Sequence, residues 1–246
     1  MIDLFCGILI GIVMGLTGAG GALIAIPLFM QFKGQSLKVA SLYSLVAVVL
    51  ASGMNYLAQK AYTRYRTGLV IVLSSTVGSY LTAPFKETLS SFWVATILSV
   101  VSLYALFSSW SPAKKVKELV ERPIEGNWTS LGVGFVLGAL TTFTGLGGGV
   151  LMLPVLLGIY RFEQPQAVAT SLFAVGLSSL SSLIIQVYQG ADFKLEVGLI
   201  YLLMGILSAV ILLKKYVDRL GVSFLNRMRQ VIFSIVVVLA LSKIFQ

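Results

Sequence analysis

Thr144-Gly145-Leu146-Gly147-Gly148-Gly149 divides an apolar stretch, residues 129–160, that has 32 residues and no charged side chain. A helix needs about 20 apolar residues to cross ~30 Å of hydrocarbon, so this stretch is long for one crossing and short for two. Clustered glycines in its middle favour a sharp turn of the backbone over one continuous helix. The sequence therefore predicts an interrupted membrane segment.

The same pattern occurs a second time, 127 residues earlier, as Thr17-Gly18-Ala19-Gly20-Gly21. Between positions 7 and 59, 15 of 53 residues are identical to those 127 positions later, without a gap. The matches continue beyond the glycines, with Pro27 over Pro154 and Ser44 over Ser171. We therefore predict a tandem repeat, with a first membrane repeat at 1–110, a polar linker at 111–128 and a second membrane repeat at 129–246.

Composition indicates the class of protein. Hydrophobic residues make up 57% of the chain and charged residues 11%, which is typical of an all-α polytopic membrane protein. Histidine is absent and Cys6 is the single cysteine, so we expect no enzyme, no cofactor and no metal site. The net charge of +9 lies in loops between apolar segments, which indicates membrane topology and no nucleic-acid partner.

The distribution of Lys and Arg favours one topology. If each interrupted segment is a hairpin that returns to its own side, 13 basic residues share one face and 5 the other. A single crossing at each segment would give nine on each face, with no bias. The positive-inside rule thus predicts two inverted repeats, each a glycine-rich re-entrant hairpin plus three transmembrane helices. Both termini would face outward, and the linker 111–128 would be cytoplasmic.

Interrupted helices in inverted repeats are typical of transporters whose substrate site lies near the midplane. Half-helices beginning at about Ala22 and Val150 would direct free N–H groups at that site, which favours an anion. The predicted substrate-binding residues are Thr17, Gly18, Ala19, Gly20, Gly21, Ser44, Thr144, Gly145, Leu146, Gly147, Gly148, Gly149, Thr170 and Ser171. Asn55, Gln59 and Gln186 are predicted as gate residues. The spaced glycines Gly7, Gly11, Gly134 and Gly138 fit helix packing instead.

The doubled glycine motif, with Pro27 and Pro154 and the later Ser44-Leu45 and Thr170-Ser171-Leu172, resembles the TauE/SafE sulfite-exporter family. The resemblance covers nearly the whole chain. It implies a transporter in a prokaryotic inner membrane for sulfite, sulfoacetate or related organosulfonates. The first repeat departs from the family pattern, since Ala22 replaces its third glycine and Tyr43 replaces the threonine found at Thr170.

Two other functions remain open at this stage: a passive anion channel, and a membrane subunit or scaffold that transports nothing. No ionisable residue falls in the middle of an apolar segment, where proton-coupled carriers usually have one. Facilitated diffusion, sodium coupling through backbone carbonyls, or a substrate carrying its own proton all fit this absence. The expected partners are a small anion and the lipid bilayer, with the oligomeric state open.

Overall fold

The computed structural model describes most of both repeats: residues 2–17, 21–86, 127–145, 147–191 and 198–216, and positions 93, 96, 100 and 103. Several predicted features lie wholly or largely outside these residues: the linker 111–128, the last predicted transmembrane helix of each repeat (91–110 and 230–245), and Gly18, Ala19, Gly20 and Leu146 of the predicted site.

Within the described residues the chain is helical and contains no β-strand. The helices are α1 (Ile2–Thr17), α2 (Gly21–Lys33), α3 (Leu37–Gln59), α4 (Tyr65–Thr82), α5 (Asn127–Thr144), α6 (Gly149–Gly158), α7 (Gln164–Tyr188) and α8 (Gly198–Tyr216), with short 3₁₀ turns at Lys60–Tyr62 and Ala83–Lys86. In the part of the chain that the structure describes, three stretches are long and apolar enough to cross a membrane: Lys38–Leu57, Tyr65–Phe85 and Gln164–Tyr188.

Each glycine-interrupted segment folds back on itself. At the open end of the α1–α2 hairpin, Lys33 Nζ lies 2.9 Å from a carboxylate oxygen of Asp3. At the open end of the α5–α6 hairpin, the Tyr160 hydroxyl donates a 2.8 Å hydrogen bond to Ser130 Oγ. With 10 residues, α6 is only ~15 Å long, about half the thickness of a membrane core. In each hairpin, the end of the second helix therefore lies beside the start of the first.

The first helix of each hairpin packs against a helix of the other repeat, with glycine at the contact. Gly7 lies against the backbone of Leu202, and Gly11 lies against Ile206, so α1 and α8 run parallel. In the same way Gly134 and Gly138 lie against α4. These four glycines are close-packing positions, as the sequence predicts.

Helices α3 and α7 occupy equivalent positions in the two repeats and run antiparallel to each other. Ser52 of α3 lies beside Gly176 of α7, and further along α3 the Tyr56 ring lies 5.5 Å from the Phe173 ring, centroid to centroid. Residue numbers thus rise along one helix as they fall along the other.

The surface of α4 has the polarity expected of a helix in lipid. Ser74, Ser75 and Ser79 are buried, whereas Leu73 and Val77 are more than half exposed. The serine hydroxyls donate mainly to backbone carbonyls, for example Ser75 to Val72. A helix that hides its hydroxyls and exposes its aliphatic side chains belongs in hydrocarbon rather than water.

Candidate functional site

The chain reversal of the second hairpin begins at Gly145, directly after α5. The Gly145 N–H donates a 2.8 Å hydrogen bond to the Thr141 carbonyl, and Gly145 has φ +70°. A left-handed residue bonded in this way is a common ending for α-helices, and glycine adopts it without steric cost. The glycine therefore stops α5 inside the protein.

Gly147 and Gly148 then turn the chain into α6, and both have φ +66°. The first helical hydrogen bond of α6 runs from the Met152 N–H to the Gly148 carbonyl. The N–H groups in the first turn of a helix have no acceptor within that helix. Gly148 supplies no side-chain cap either, so these donors and the positive end of the helix dipole face whatever lies before α6.

The reversal lies against the middle of a membrane-length helix. A Cβ atom at Gly147 would lie 2.9 Å from Val48 Cγ1 on one side and would overlap Ser179 Oγ on the other. Val48 is the central residue of α3, which runs from Leu37 to Gln59. Both repeats therefore contribute to the wall around Gly147.

Ser44 also contacts the reversal, and its hydroxyl is already used in a hydrogen bond there. Its hydroxyl donates to the Gly145 carbonyl at 3.1 Å, and both residues are buried. Ser44 therefore fixes the shape of the turn rather than offering its proton to a ligand.

Two buried hydroxyls of α7 differ from that of Ser44 because they have no bond within the protein. Ser171 Oγ and Ser179 Oγ have no hydrogen-bond partner, and neither residue has any exposed surface. An unsatisfied buried hydroxyl costs about 1–3 kcal/mol, so such a group calls for an explanation. Ser179 Oγ lies directly against Gly147, which brings one such hydroxyl to the start of α6.

Other predicted binding residues have hydrogen bonds within the protein. The Thr144 hydroxyl donates to the Leu140 carbonyl of its own helix. Thr170 Oγ1 accepts the Arg64 N–H at 3.0 Å, so it ties α7 to the basic connection before α4. Thr17 and Gly21 end α1 and begin α2, and Gly149 is the first residue of α6.

The predicted gate residues lie along buried faces near one end of each central helix. Asn55 is 7% exposed, and its Nδ2 donates to the Ala51 carbonyl at 2.8 Å. Gln59 is half-buried at the end of α3, and Gln186 is buried near the end of α7. Because α3 and α7 are antiparallel, the two glutamines lie toward opposite ends of the helix pair.

The chemistry available around Gly147 is neutral. Lys38, at the start of α3, is the only charged residue in α3, α5, α6 and α7. Among the described residues no group of three His, Cys, Asp or Glu side chains is placed to hold a metal ion. Hydroxyls, backbone N–H groups and a helix N-terminus can hold a small anion without titrating a side chain.

The structure adds Ser179 and Val48 to the residues predicted from the sequence. Ser179 has an identical partner in the repeat alignment, Ser52, at the same offset that pairs Ser44 with Ser171. That match is the feature of the sequence that could have identified Ser179. Val48 also has an identical partner, Val175, but a valine in an apolar helix gives no indication of a site, and its contact with Gly147 depends on how the two repeats pack.

Comparisons with known proteins agree on a membrane transporter. The family described as sulfite exporter TauE/SafE matches residues 4–243. A probable membrane transporter protein of Bacillus subtilis (strain 168), YunE, is 26% identical over 210 residues, covering 75% of this chain and 77% of the relative. A probable membrane transporter protein of Xylella fastidiosa (strain Temecula1 / ATCC 700964) is 28% identical over 178 residues, covering 69% of this chain and 67% of the relative. No solved structure matches.

Proposed function

This chain belongs to the TauE/SafE sulfite-exporter family, and we propose that it carries small sulfur-containing anions across a prokaryotic inner membrane. The substrates are sulfite, sulfoacetate or related organosulfonates. One observation carries the proposal: the unpartnered Ser179 hydroxyl lies against Gly147, at the start of α6 and opposite the centre of α3.

The proposed site matches the chemistry of an oxyanion. Sulfite and sulfonate groups present oxygen acceptors, and the start of α6 and Ser179 present donors. Neutral donors avoid the cost of keeping a lysine or arginine at membrane depth, and they release a singly charged anion more readily than a fixed cation would. We assign the second half of the site to Ser171 and the first glycine break, Gly18 to Gly21, because they repeat the pattern of Ser44 and Gly145 to Gly148.

The arrangement of the repeats supports a mechanism of alternating access. The antiparallel packing of α3 and α7 is what a two-fold axis in the membrane plane would produce if these helices cross the bilayer. The two hairpins then open to opposite faces, with the linker 111–128 in the cytoplasm and both termini outside. Movement of one repeat against the other exposes the site to each face in turn.

Uptake of labelled sulfite into proteoliposomes, with and without trapped unlabelled sulfite, tests the proposal. A carrier gives saturable uptake that trapped substrate accelerates, whereas a channel gives fast uptake that neither saturates nor responds to trapped substrate. A scaffold or subunit gives no uptake from folded protein. Sulfoacetate, thiosulfate, sulfate and chloride as competitors rank the ligands.

A pair of glycine variants links that activity to the site. Gly147→Val places a branched side chain against Ser179 and Val48 and is expected to abolish uptake. Gly132→Val is the matched control, since nothing lies within 4 Å of a Cβ at that position of α5. Normal uptake by inserted, folded Gly147→Val would contradict a site at this reversal.

A further inference from the structure

The open ends of the two hairpins are closed by equivalent residues of different chemistry. Asp3 and Ser130 are related by the 127-residue offset of the repeats, and so are Lys33 and Tyr160. In the first hairpin the pair is ionic, with 2.9 Å between Lys33 Nζ and the Asp3 carboxylate. In the second it is a neutral hydrogen bond between two hydroxyls, 2.8 Å long. The neutral pair shows that holding a hairpin closed requires no charge.

The ionic pair is also costly for its position. The Lys33 and Asp3 side chains retain only 18% and 20% of their exposure. Removing two charges from water costs several kcal/mol, and their attraction often does no more than offset that cost. A hydroxyl pair makes the same connection in the second hairpin without this penalty, so closing the hairpin does not by itself account for the charge of Lys33.

Lys33 stands close to the chain that shapes the proposed site. Its Nζ lies 5.4 Å from the centre of the Tyr43 ring, a buried ring that also packs against Phe29. The residue after Tyr43 is Ser44, whose hydroxyl holds the Gly145 carbonyl. Two adjacent residues, Tyr43 and Ser44, therefore connect Lys33 to the glycine reversal, so a change in the partner of Lys33 can act on the reversal through them.

Asp3 also has a contact that does not involve Lys33. A Cβ added to Gly198 of α8 would lie 2.7 Å from Asp3 Oδ2, so the carboxylate packs against the backbone of α8. Asp3 therefore keeps this contact with the second repeat when Lys33 binds something else.

We propose that Lys33 is an anion-capture residue at the mouth of the α1–α2 hairpin, and that Asp3 is its resting counter-ion. A sulfite or sulfonate anion takes the place of the Asp3 carboxylate on Lys33 before or after it occupies the site at the glycine reversal. This inference rests on the proposed transport function. It assigns anion capture to the α1–α2 mouth, where Lys33 stands in the position that Tyr160 has in the second hairpin.

Sulfite counterflow in proteoliposomes tests the capture role, because exchange samples both faces of the protein. Lys33→Gln is expected to raise the KM for sulfite about tenfold, since the anion loses one charge-assisted contact. Asp3→Asn is expected to lower KM roughly threefold, since the anion no longer competes with a carboxylate for Lys33. Tyr160→Phe breaks the neutral pair at the other mouth and is the matched control, with KM unchanged.

Exchanging the two charges distinguishes anion capture by Lys33 from a structural latch, that is, an ion pair that only holds the hairpin closed. Asp3→Lys combined with Lys33→Asp restores an ion pair of the same residues but leaves a carboxylate at position 33. Capture predicts a KM at least as high as that of Lys33→Gln, whereas a latch predicts recovery to the wild-type value. If the exchanged protein does not fold, the opposite shifts of Asp3→Asn and Lys33→Gln decide, because a latch predicts the same shift for both.

The outcomes also separate the two proposals of transport and capture. Absence of counterflow in the wild type overturns the proposed function. Counterflow in the wild type with an unchanged KM in Lys33→Gln, or with a wild-type KM in the exchanged protein, overturns the capture role and leaves the transport function in place.

Discussion

Ser44 Oγ donates a 3.1 Å hydrogen bond to the carbonyl oxygen of Gly145, a residue 101 positions later and in the other repeat. The bond joins the first half of α3 to the point at which α5 stops. Because both groups are buried, neither has water as an alternative partner. The reversal in the second repeat thus depends for its shape on a side chain of the first.

Replacement of Ser44 by alanine should destabilise the protein by about 1–3 kcal/mol, because it leaves the Gly145 carbonyl buried without this donor. Thermal unfolding in detergent measures the effect as a lower midpoint. Ser181→Ala is the matched control, since the Ser181 hydroxyl is exposed and bonds only to the Leu177 carbonyl of its own helix. Equal midpoints for the two variants would contradict a structural role for the Ser44 bond.

Gly145→Ala is expected to be more damaging than the loss of that bond. The new Cβ would lie 2.5 Å from Ser41 Cβ and 2.7 Å from its Cα, and the backbone at φ +70° disfavours any side chain. We expect poor recovery of folded protein after extraction, measured by size-exclusion chromatography.

Gly53→Ala is the control for glycine replacement in general. Nothing lies within 4 Å of a Cβ at that position of α3, and alanine favours a helix over glycine by roughly 0.5–1 kcal/mol. Gly53→Ala should therefore retain or raise the unfolding midpoint. If both variants behaved alike, close packing at Gly145 would not be the cause.

Much of the helical framework can be predicted from the sequence because membrane helices and glycine breaks have strong signals. Apolar runs without charge place α3, α4 and α7, and the clustered glycines place the start of α6 within one residue of the expected Val150. The packing of Gly7 and Gly134 also follows from spacing alone. Spacing does not identify the partner helix: α1 packs on α8 and α5 packs on α4, across the repeats, and these contacts depend on how the two repeats fold together.

The candidate site was predictable only in part. The glycines are visible in sequence because their positive φ angles exclude most other residues. The roles of the hydroxyls depend on hydrogen bonds between distant segments, so Ser44 and Ser171 look equivalent in the repeat although one is bonded to Gly145 and the other has no partner. Like Ser171, Ser179 has an identical residue in the first repeat, in its case Ser52, but its contact with Gly147 is visible only in the folded structure.

The contact between α4 and α5 offers a test of the packing across repeats. A Cβ at Gly78 would overlap the Phe135 carbonyl oxygen and would lie 3.1 Å from its Cα, so α5 would have to move away from α4. We expect Gly78→Ala to lower the unfolding midpoint and Gly132→Ala, on the open side of α5, to leave it unchanged or higher. An unchanged midpoint in Gly78→Ala would contradict the close approach of the two helices.

Ser171→Ala and Ser179→Ala are expected to separate binding from stability. Each removes a buried hydroxyl that has no hydrogen-bond partner in the protein, so the unfolding midpoint should stay the same or rise slightly. If these hydroxyls donate to the transported anion, each variant should raise the KM for sulfite by about 3- to 10-fold, as expected for one lost hydrogen bond.

Ser44→Ala gives the opposite pattern and serves as the comparison, since its hydroxyl is already used within the protein. Its unfolding midpoint should fall, and any loss of uptake should follow the loss of folded protein. Ser178→Ala is a second comparison, because that neighbouring hydroxyl bonds to the Val175 carbonyl and not to the reversal. A wild-type KM in both Ser171→Ala and Ser179→Ala would remove these two hydroxyls from the site, whereas a fall in midpoint without a change in KM would make them structural.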